Sequence, residues 1–225
     1  MVASGVMQTT SRITLPGPFT GVVVDMDGTL VDTEPLWLVA KQRMFAAHDT
    51  PFEMADHVAV FGRDEQFTAD YLTRRLGVEP ARRDEVRREY RAIVAATFRE
   101  SVPLRPGALE LLSALRGVVP VGLATNTNRE LVDIALEVSG LRPYLDSVST
   151  AESGAAKPAP DIYLAACASL GLDPTASVAI EDSPTGIAAA RAAGLTVIAV
   201  PSEIHDGLDA AHHIIPSLLD LLPAA

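Results

Sequence analysis

The apolar positions of this chain fall in short blocks. Gly21-Val22-Val23-Val24 is β-branched, continuous and brief, the pattern of a strand buried on both faces, and it stops abruptly at Asp25. From residue 35 to about residue 102 the spacing turns helical, with helical periodicity over 35–48, 65–76 and 81–100. In the last of these, Arg82, Arg83, Arg87, Arg88 and Arg91 are interleaved with Asp84, Glu85 and Glu89, the texture of a solvated helix face with local pairing. After Pro103 and Pro106 strands and helices alternate. Residues 118–125 read as a strand. Thr127-x-x-Glu130 reads as a capping box that opens a helix to Val138, with Gly140 past its end. Residues 147–150 read as a short strand, 160–170 as a helix and 178–181 as a strand. Ser183-Pro184 then caps and starts a helix ending near Gly194, and 195–200 reads as a further strand.

Repeated β–α units of this kind predict the α/β class: a doubly wound parallel sheet with helices on both faces and its active crevice at the carboxyl ends of the strands. The helical stretch interrupts the pattern after the first strand, so it reads as an insertion. The expected organisation is a loose N-terminal tail at 1–16, a core formed by 17–33 and 104–225, and an all-helical insert at 34–103.

Composition narrows the function. The 225 residues suffice for one sizeable core and a smaller appended unit. No apolar run reaches the roughly 18 residues a spanning helix needs, and the first 20 residues lack the compact apolar block of a signal peptide, so the expected location is cytoplasmic. A net charge of −11 is a poor match for nucleic acid or an anionic membrane. It also suits a phosphorylated ligand poorly unless the site supplies its own cations. Against sixteen arginines the chain has only two lysines, Lys41 and Lys157. The single cysteine, Cys167, excludes a disulfide within the chain and reads as a small buried helix residue. His48, His57, His205, His212 and His213 show no metal-binding spacing. A monomer is expected.

Three predicted strand ends carry polar clusters: Asp25-Met26-Asp27-Gly28-Thr29, Thr125-Asn126-Thr127 and Glu181-Asp182-Ser183, with Lys157 in a loop between the last two. Taken alone, Asp25-x-Asp27-Gly28 is as much a hairpin turn as a site. It is not a calcium loop, because Leu30 and Leu36 stand where Gly and Glu are needed. Together the clusters say more. Carboxylates at adjacent strand ends repel one another, and a divalent cation is the usual remedy. Oxygen ligands with no His or Cys nearby favour magnesium. Magnesium and a phosphate need further donors, which Lys157, Thr125 and Asn126 could supply.

With these residues in hand the sequence resembles the haloacid dehalogenase superfamily, in the helical-cap branch near the β-phosphoglucomutase-like phosphatases. Asp25-Met26-Asp27-Gly28-Thr29-Leu30-Val31-Asp32-Thr33-Glu34 matches the first motif of that family, Thr125-Asn126 the second, Lys157-Pro158-Ala159-Pro160-Asp161 the third and Glu181-Asp182-Ser183 the fourth. The resemblance implies that Asp25 attacks phosphorus and forms an aspartyl-phosphate. It implies that Asp27 protonates the leaving oxygen and then activates water, and that Thr125 and Lys157 hold phosphoryl oxygens. Mg2+ would be held by Asp25, the Asp27 carbonyl, Asp182 and Glu181. Gly28 and Asn126 would help bind the phosphate. In Phe61-Gly62-Arg63-Asp64-Glu65, which resembles the cap's specificity loop, Arg63 would contact the substrate. Members that remove halogens lack an acid at the position of Asp27, so the resemblance implies a phosphatase for a small phosphorylated metabolite of the sugar or polyol phosphate class. Two alternatives stay open: a β-phosphoglucomutase-type phosphomutase, and a catalytically silent binding module. Mutase relatives carry a cap Arg three residues after the specificity-loop Gly, where this chain has Glu65.

Overall fold

The computed structural model of the chain describes residues 7–9, 14–16, 19–60, 63, 65–201 and 207–223. Its elements run β1 (Met7–Thr9), β2 (Thr14–Pro16), β3 (Gly21–Val24), α1 (Glu34–Ala47), α2 (Met54–Val60), α3 (Glu65–Arg75), α4 (Arg83–Glu100) and α5 (Ala108–Leu115). They continue with β4 (Val121–Ala124), α6 (Arg129–Val138), β5 (Ser147–Ser149), α7 (Asp161–Leu170), β6 (Ser177–Glu181), α8 (Pro184–Ala192), β7 (Thr196–Ala199) and β8 (His213–Ile214). Two compact units form. One joins Met1–Asp32 to Pro103–Ala225, and the other is Thr33–Val102.

The first unit is built on a six-stranded sheet in the order β5-β4-β3-β6-β7-β8, parallel at every pairing. The chain builds outward from β3 through β4 to β5, then returns to place β6 on the other side of β3. That reversal is the switch point at which open α/β sheets place their crevice. Val22, Val23 and Val24 are fully buried, as expected of a central strand covered by helices on both faces. Alanines and Cys167 on α7 and α8 let these helices lie close on the sheet, where they pack with Val23, Ala124, Ala179 and Val197. The Cys167 thiol is buried there, and burial pushes its pKa up to about 11, so it is a packing group.

One expectation is corrected here. The helix after β4 is not opened by a Thr127 capping box. Asn128 is the N-cap, in an extended conformation, and its side chain accepts from the Leu131 N–H at 3.2 Å. Within the segment expected to be a loose tail, β1 and β2 pair antiparallel, with Leu15 buried.

The second unit is all helical. Arg43 on α1 meets Glu100 on α4 through two hydrogen bonds of 2.7 and 2.8 Å. The buried Asp56 on α2 accepts from the Tyr71 hydroxyl at 2.7 Å, from Arg75 Nε at 2.8 Å and from the Glu53 N–H at 2.8 Å. Burial pushes the Asp56 carboxyl up, but these donors outweigh it and hold the pKa below the ordinary range. Buried Lys41 reaches His57 Nδ1 at 3.1 Å, and His57 Nε2 reaches Glu34 at 3.0 Å.

Candidate active site

β3 ends in a tight loop. The Leu30 and Val31 N–H groups both donate to the Met26 carbonyl, and Gly28 N–H donates to the Val31 carbonyl. Gly28 makes this turn with φ of +78°, and a Cβ there would run into the Asp182 carboxylate. Gly28 therefore lets the β3 loop and the end of β6 approach one another. The Asp25 N–H still donates to the Ile180 carbonyl at 3.0 Å, and the Thr125 N–H to the Ser149 carbonyl at 3.1 Å. Both residues are thus held at strand ends with main-chain precision.

Lys157 lies at the centre. Its main-chain N–H donates to Asn126 Oδ1 at 2.8 Å, and Asn126 Nδ2 donates back to its carbonyl at 3.4 Å. The Asn126 carboxamide thus clamps the lysine's main chain. The Lys157 ammonium donates to Asp25 Oδ1 at 2.6 Å and to Glu181 Oε1 at 2.5 Å, and sits 4.9 Å from the centre of the Tyr163 ring. Burial works against this ammonium, but the carboxylates of Asp25 and Glu181 outweigh it and hold its pKa above the ordinary lysine range.

Glu181 is fully buried. Its Oε1 also accepts from the Tyr163 hydroxyl at 3.0 Å, and its Oε2 accepts from the Asp182 N–H at 3.0 Å, the Ser183 N–H at 3.1 Å and Ser183 Oγ at 3.0 Å. A Cβ on Gly186 would overlap this carboxylate, so α8 can begin beside it only with glycine at that position. Burial, then the Glu181 charge, pushes the Tyr163 hydroxyl well above its usual pKa, so it stays a donor.

Asp25, Glu181 and Asp182 each offer a carboxylate oxygen, all within 4.8 Å of one another. Burial pushes Asp25 well above the ordinary carboxylate range; Lys157 pulls it down, and Glu181, Asp182 and Asp27 push it up again. Asp182 is pushed up to about 7 by burial and by Glu181. Three crowded carboxylates with no imidazole or thiolate in the cluster fit a hard divalent cation, which would relieve this repulsion.

Asp27 is oriented by two hydroxyls. Thr125 Oγ1 donates to its Oδ2 at 3.1 Å and Thr127 Oγ1 to the same oxygen at 2.8 Å. The fold therefore gathers Asp25, Asp27, Gly28, Thr125, Asn126, Lys157, Glu181 and Asp182 at neighbouring strand ends. Arg63 belongs to the helical unit. It is exposed, with its guanidinium 4.1 Å from the centre of the Phe67 ring, while Phe61, Gly62 and Asp64 lie outside the described residues.

The sequence profile of the haloacid dehalogenase-like hydrolases matches residues 19–194, a span that takes in all of these residues. The chain belongs to that family. It is 31% identical to the validoxylamine A 7′-phosphate phosphatase of Streptomyces hygroscopicus subsp. limoneus over 81% of this chain and 85% of that protein. It is also 31% identical to hexitol phosphatase B of Escherichia coli strain K12 over 83% of this chain and 86% of that enzyme. Among solved structures of the fold, CbbY from Rhodobacter sphaeroides in complex with phosphate superposes with a TM-score of 0.78 at 27% identity, covering 89% of this chain and 95% of that one.

Sequence reasoning gave two members of the site no role in it. Thr127 was hidden by a helix-start pattern that it satisfies but does not use. Tyr163 follows the Lys157–Asp161 motif by two residues; as the only aromatic of α7, it was the one available signal.

Proposed function

We propose that this hydrolase is a magnesium-dependent phosphatase that cleaves a small phosphomonoester of the sugar or polyol phosphate class through an aspartyl-phosphate. The observation that carries the reading is the ammonium of Lys157 set between Asp25 and Glu181, beside Asp182, at the switch point of the sheet. The relatives named as validoxylamine A 7′-phosphate phosphatase and hexitol phosphatase B support a small phosphorylated metabolite, the latter of the polyol class.

In this reading an Asp25 carboxylate oxygen attacks phosphorus, the phosphorus–oxygen bond to the substrate alcohol breaks, and Asp27 gives that alkoxide its proton. Asp27, now a carboxylate, takes a proton from water as that water attacks the aspartyl-phosphate. The products are the alcohol and inorganic phosphate, and Asp25 and Asp27 return to their starting states. Lys157 and Thr125 hold phosphoryl oxygens, and Lys157 lessens the charge repulsion between Asp25 and an incoming phosphate dianion. Asp25, Asp182, Glu181 and the Asp27 carbonyl would hold magnesium, which when bound supplies charge stabilisation to the phosphoryl group. The helical unit would act as the cap that selects the substrate, with Arg63 as a contact.

Hydrolysis is favoured over mutation because the position expected to carry a mutase's cap cation is Glu65. That residue is held in an ion pair by Arg91 at 2.7 Å. The test is a set of hexitol, hexose and glycerol phosphates supplied with magnesium to wild-type protein and Asp25→Asn, with phosphate release measured. Wild type should release phosphate from at least one of them. Asp25→Asn should fall by about four orders of magnitude or more, the scale of losing a nucleophile. Near wild-type turnover by clean Asp25→Asn protein would sink the proposal, as would isomerised sugar phosphate with no free phosphate.

A further inference from the structure

We propose that Thr127 is the positioning residue for the acid–base group Asp27, an inference that rests on the role given to Asp27 above. Three observations carry it. First, the threonine has no helix-capping task, since Asn128 takes it. Second, its main chain is pinned on both sides: its N–H donates to Thr125 Oγ1 at 3.1 Å and its carbonyl accepts from the Ala151 N–H at 3.2 Å. Third, from that fixed position its hydroxyl donates to Asp27 Oδ2 at 2.8 Å, shorter than the 3.1 Å bond from Thr125.

The need for a second hydroxyl follows from hydrogen counting. A threonine hydroxyl has one proton to donate. When Thr125 turns that proton to a phosphoryl oxygen, it can no longer donate to Asp27. Thr127 then remains as a donor on Oδ2. An oxygen that accepts from a hydroxyl is the unprotonated one of the carboxyl pair, so the bond keeps the transferable proton on Oδ1. It also fixes the plane in which that oxygen points. Without Thr127 the carboxyl would lose both hydroxyl donors on Oδ2 when the phosphate is bound.

The test uses the full chain with Thr127→Ala, Thr127→Val and Thr127→Ser, and Asp27→Ala as the reference. Two substrates are compared: an alkyl phosphate that the wild type turns over, and p-nitrophenyl phosphate, whose leaving group departs without a proton. Thr127→Ala and Thr127→Val should lower kcat on the alkyl phosphate about tenfold or more, inside the ~10²–10⁴ range of general acid–base catalysis, with KM little changed. The first-turnover burst of p-nitrophenol should stay near the wild-type rate, and Thr127→Ser should restore most of the lost kcat. If Ala and Val variants keep kcat on the alkyl phosphate, or lose the burst as fully as the alkyl turnover, or Ser restores nothing, Thr127 does not position the acid. Asp27→Ala separates the two layers. Should it fail to distinguish the two leaving groups, the role of Asp27 falls and the proposal falls with it. Should it distinguish them while the Thr127 variants do not, Thr127 alone is ruled out.

Discussion

Lys157 Nζ and Asp25 Oδ1 lie 2.6 Å apart across 132 residues of sequence, both side chains almost wholly buried. The pair is what the sheet topology makes possible: β3 delivers the carboxylate, and the loop between β5 and α7 delivers the ammonium from the far side of β4. Its partner Glu181 completes a row in which one ammonium faces two carboxyl groups.

Removing that cation should therefore be felt twice. Lys157→Ala leaves Asp25 and Glu181 buried without their counter-ion, a change that costs about 3–5 kcal/mol in buried pairs. Thermal unfolding of the metal-free protein should shift down by several degrees, and kcat should fall by about two orders of magnitude or more. A variant with unchanged melting and turnover would show that Lys157 is neither structural anchor nor phosphoryl contact.

Metal binding should be read out through stability and pH. Burial and Glu181 raise Asp182 to about 7 in the folded protein, above its value in the unfolded chain. The metal-free native site therefore holds a proton that the unfolded chain releases, so this group favours the fold at lower pH. That contribution is lost as pH rises through about 7. Magnesium competes for the same oxygens, so its stabilising effect should be larger at pH 8 than at pH 6. Paired melting curves with magnesium and with chelator measure it. An equal magnesium shift at both pH values, or none in either, would remove Asp182 from the ligand set.

The helical unit should answer to pH through His57. Burial, then the nearby Lys41 ammonium, lowers its pKa below 6.5. With Lys41 donating to Nδ1, the ring is neutral and its Nε2–H faces Glu34. A depressed folded pKa means the contribution is complete above the unfolded value near 6.5 and fades as pH falls through the folded one. Protection of the α1 and α2 amides, taken relative to their intrinsic base-catalysed exchange rate, should fall as pH drops below about 6.5, and His57→Gln, which can accept and donate at the same places, should flatten the profile. Parallel profiles for the two proteins would contradict this.

Much of the architecture was legible because its signals are local. The valines of β3 stop at Asp25, and Ser183-Pro184 starts α8 as read, with Ser183 Oγ accepting from the Gly186 N–H at 3.1 Å. What was not legible depends on partners far away in sequence. Thr127-x-x-Glu130 is a valid helix start until Asp27 competes for the hydroxyl from 100 residues away. That the Asn126 carboxamide clamps the Lys157 main chain, 31 residues away, could not be seen from its own neighbourhood in the sequence. β8 is two residues long, one of them the half-exposed Ile214, and owes its existence to the edge that β7 offers. Periodicity over two residues carries no signal.

The Asp32 N–H donates to the Pro103 carbonyl at 2.9 Å, and Val31 bridges Leu104. The chain thus leaves the sheet unit and re-enters it at one hydrogen-bonded doorway. For the residues of the sheet, everything between is a closed detour, and the loop that bears Asp25 and Asp27 meets the same two neighbours whatever that detour contains. Lengthening, shortening or rewriting that detour would leave Asp25 in register at the end of β3, so what the sheet unit holds in place is separable from whatever the inserted helices recognise.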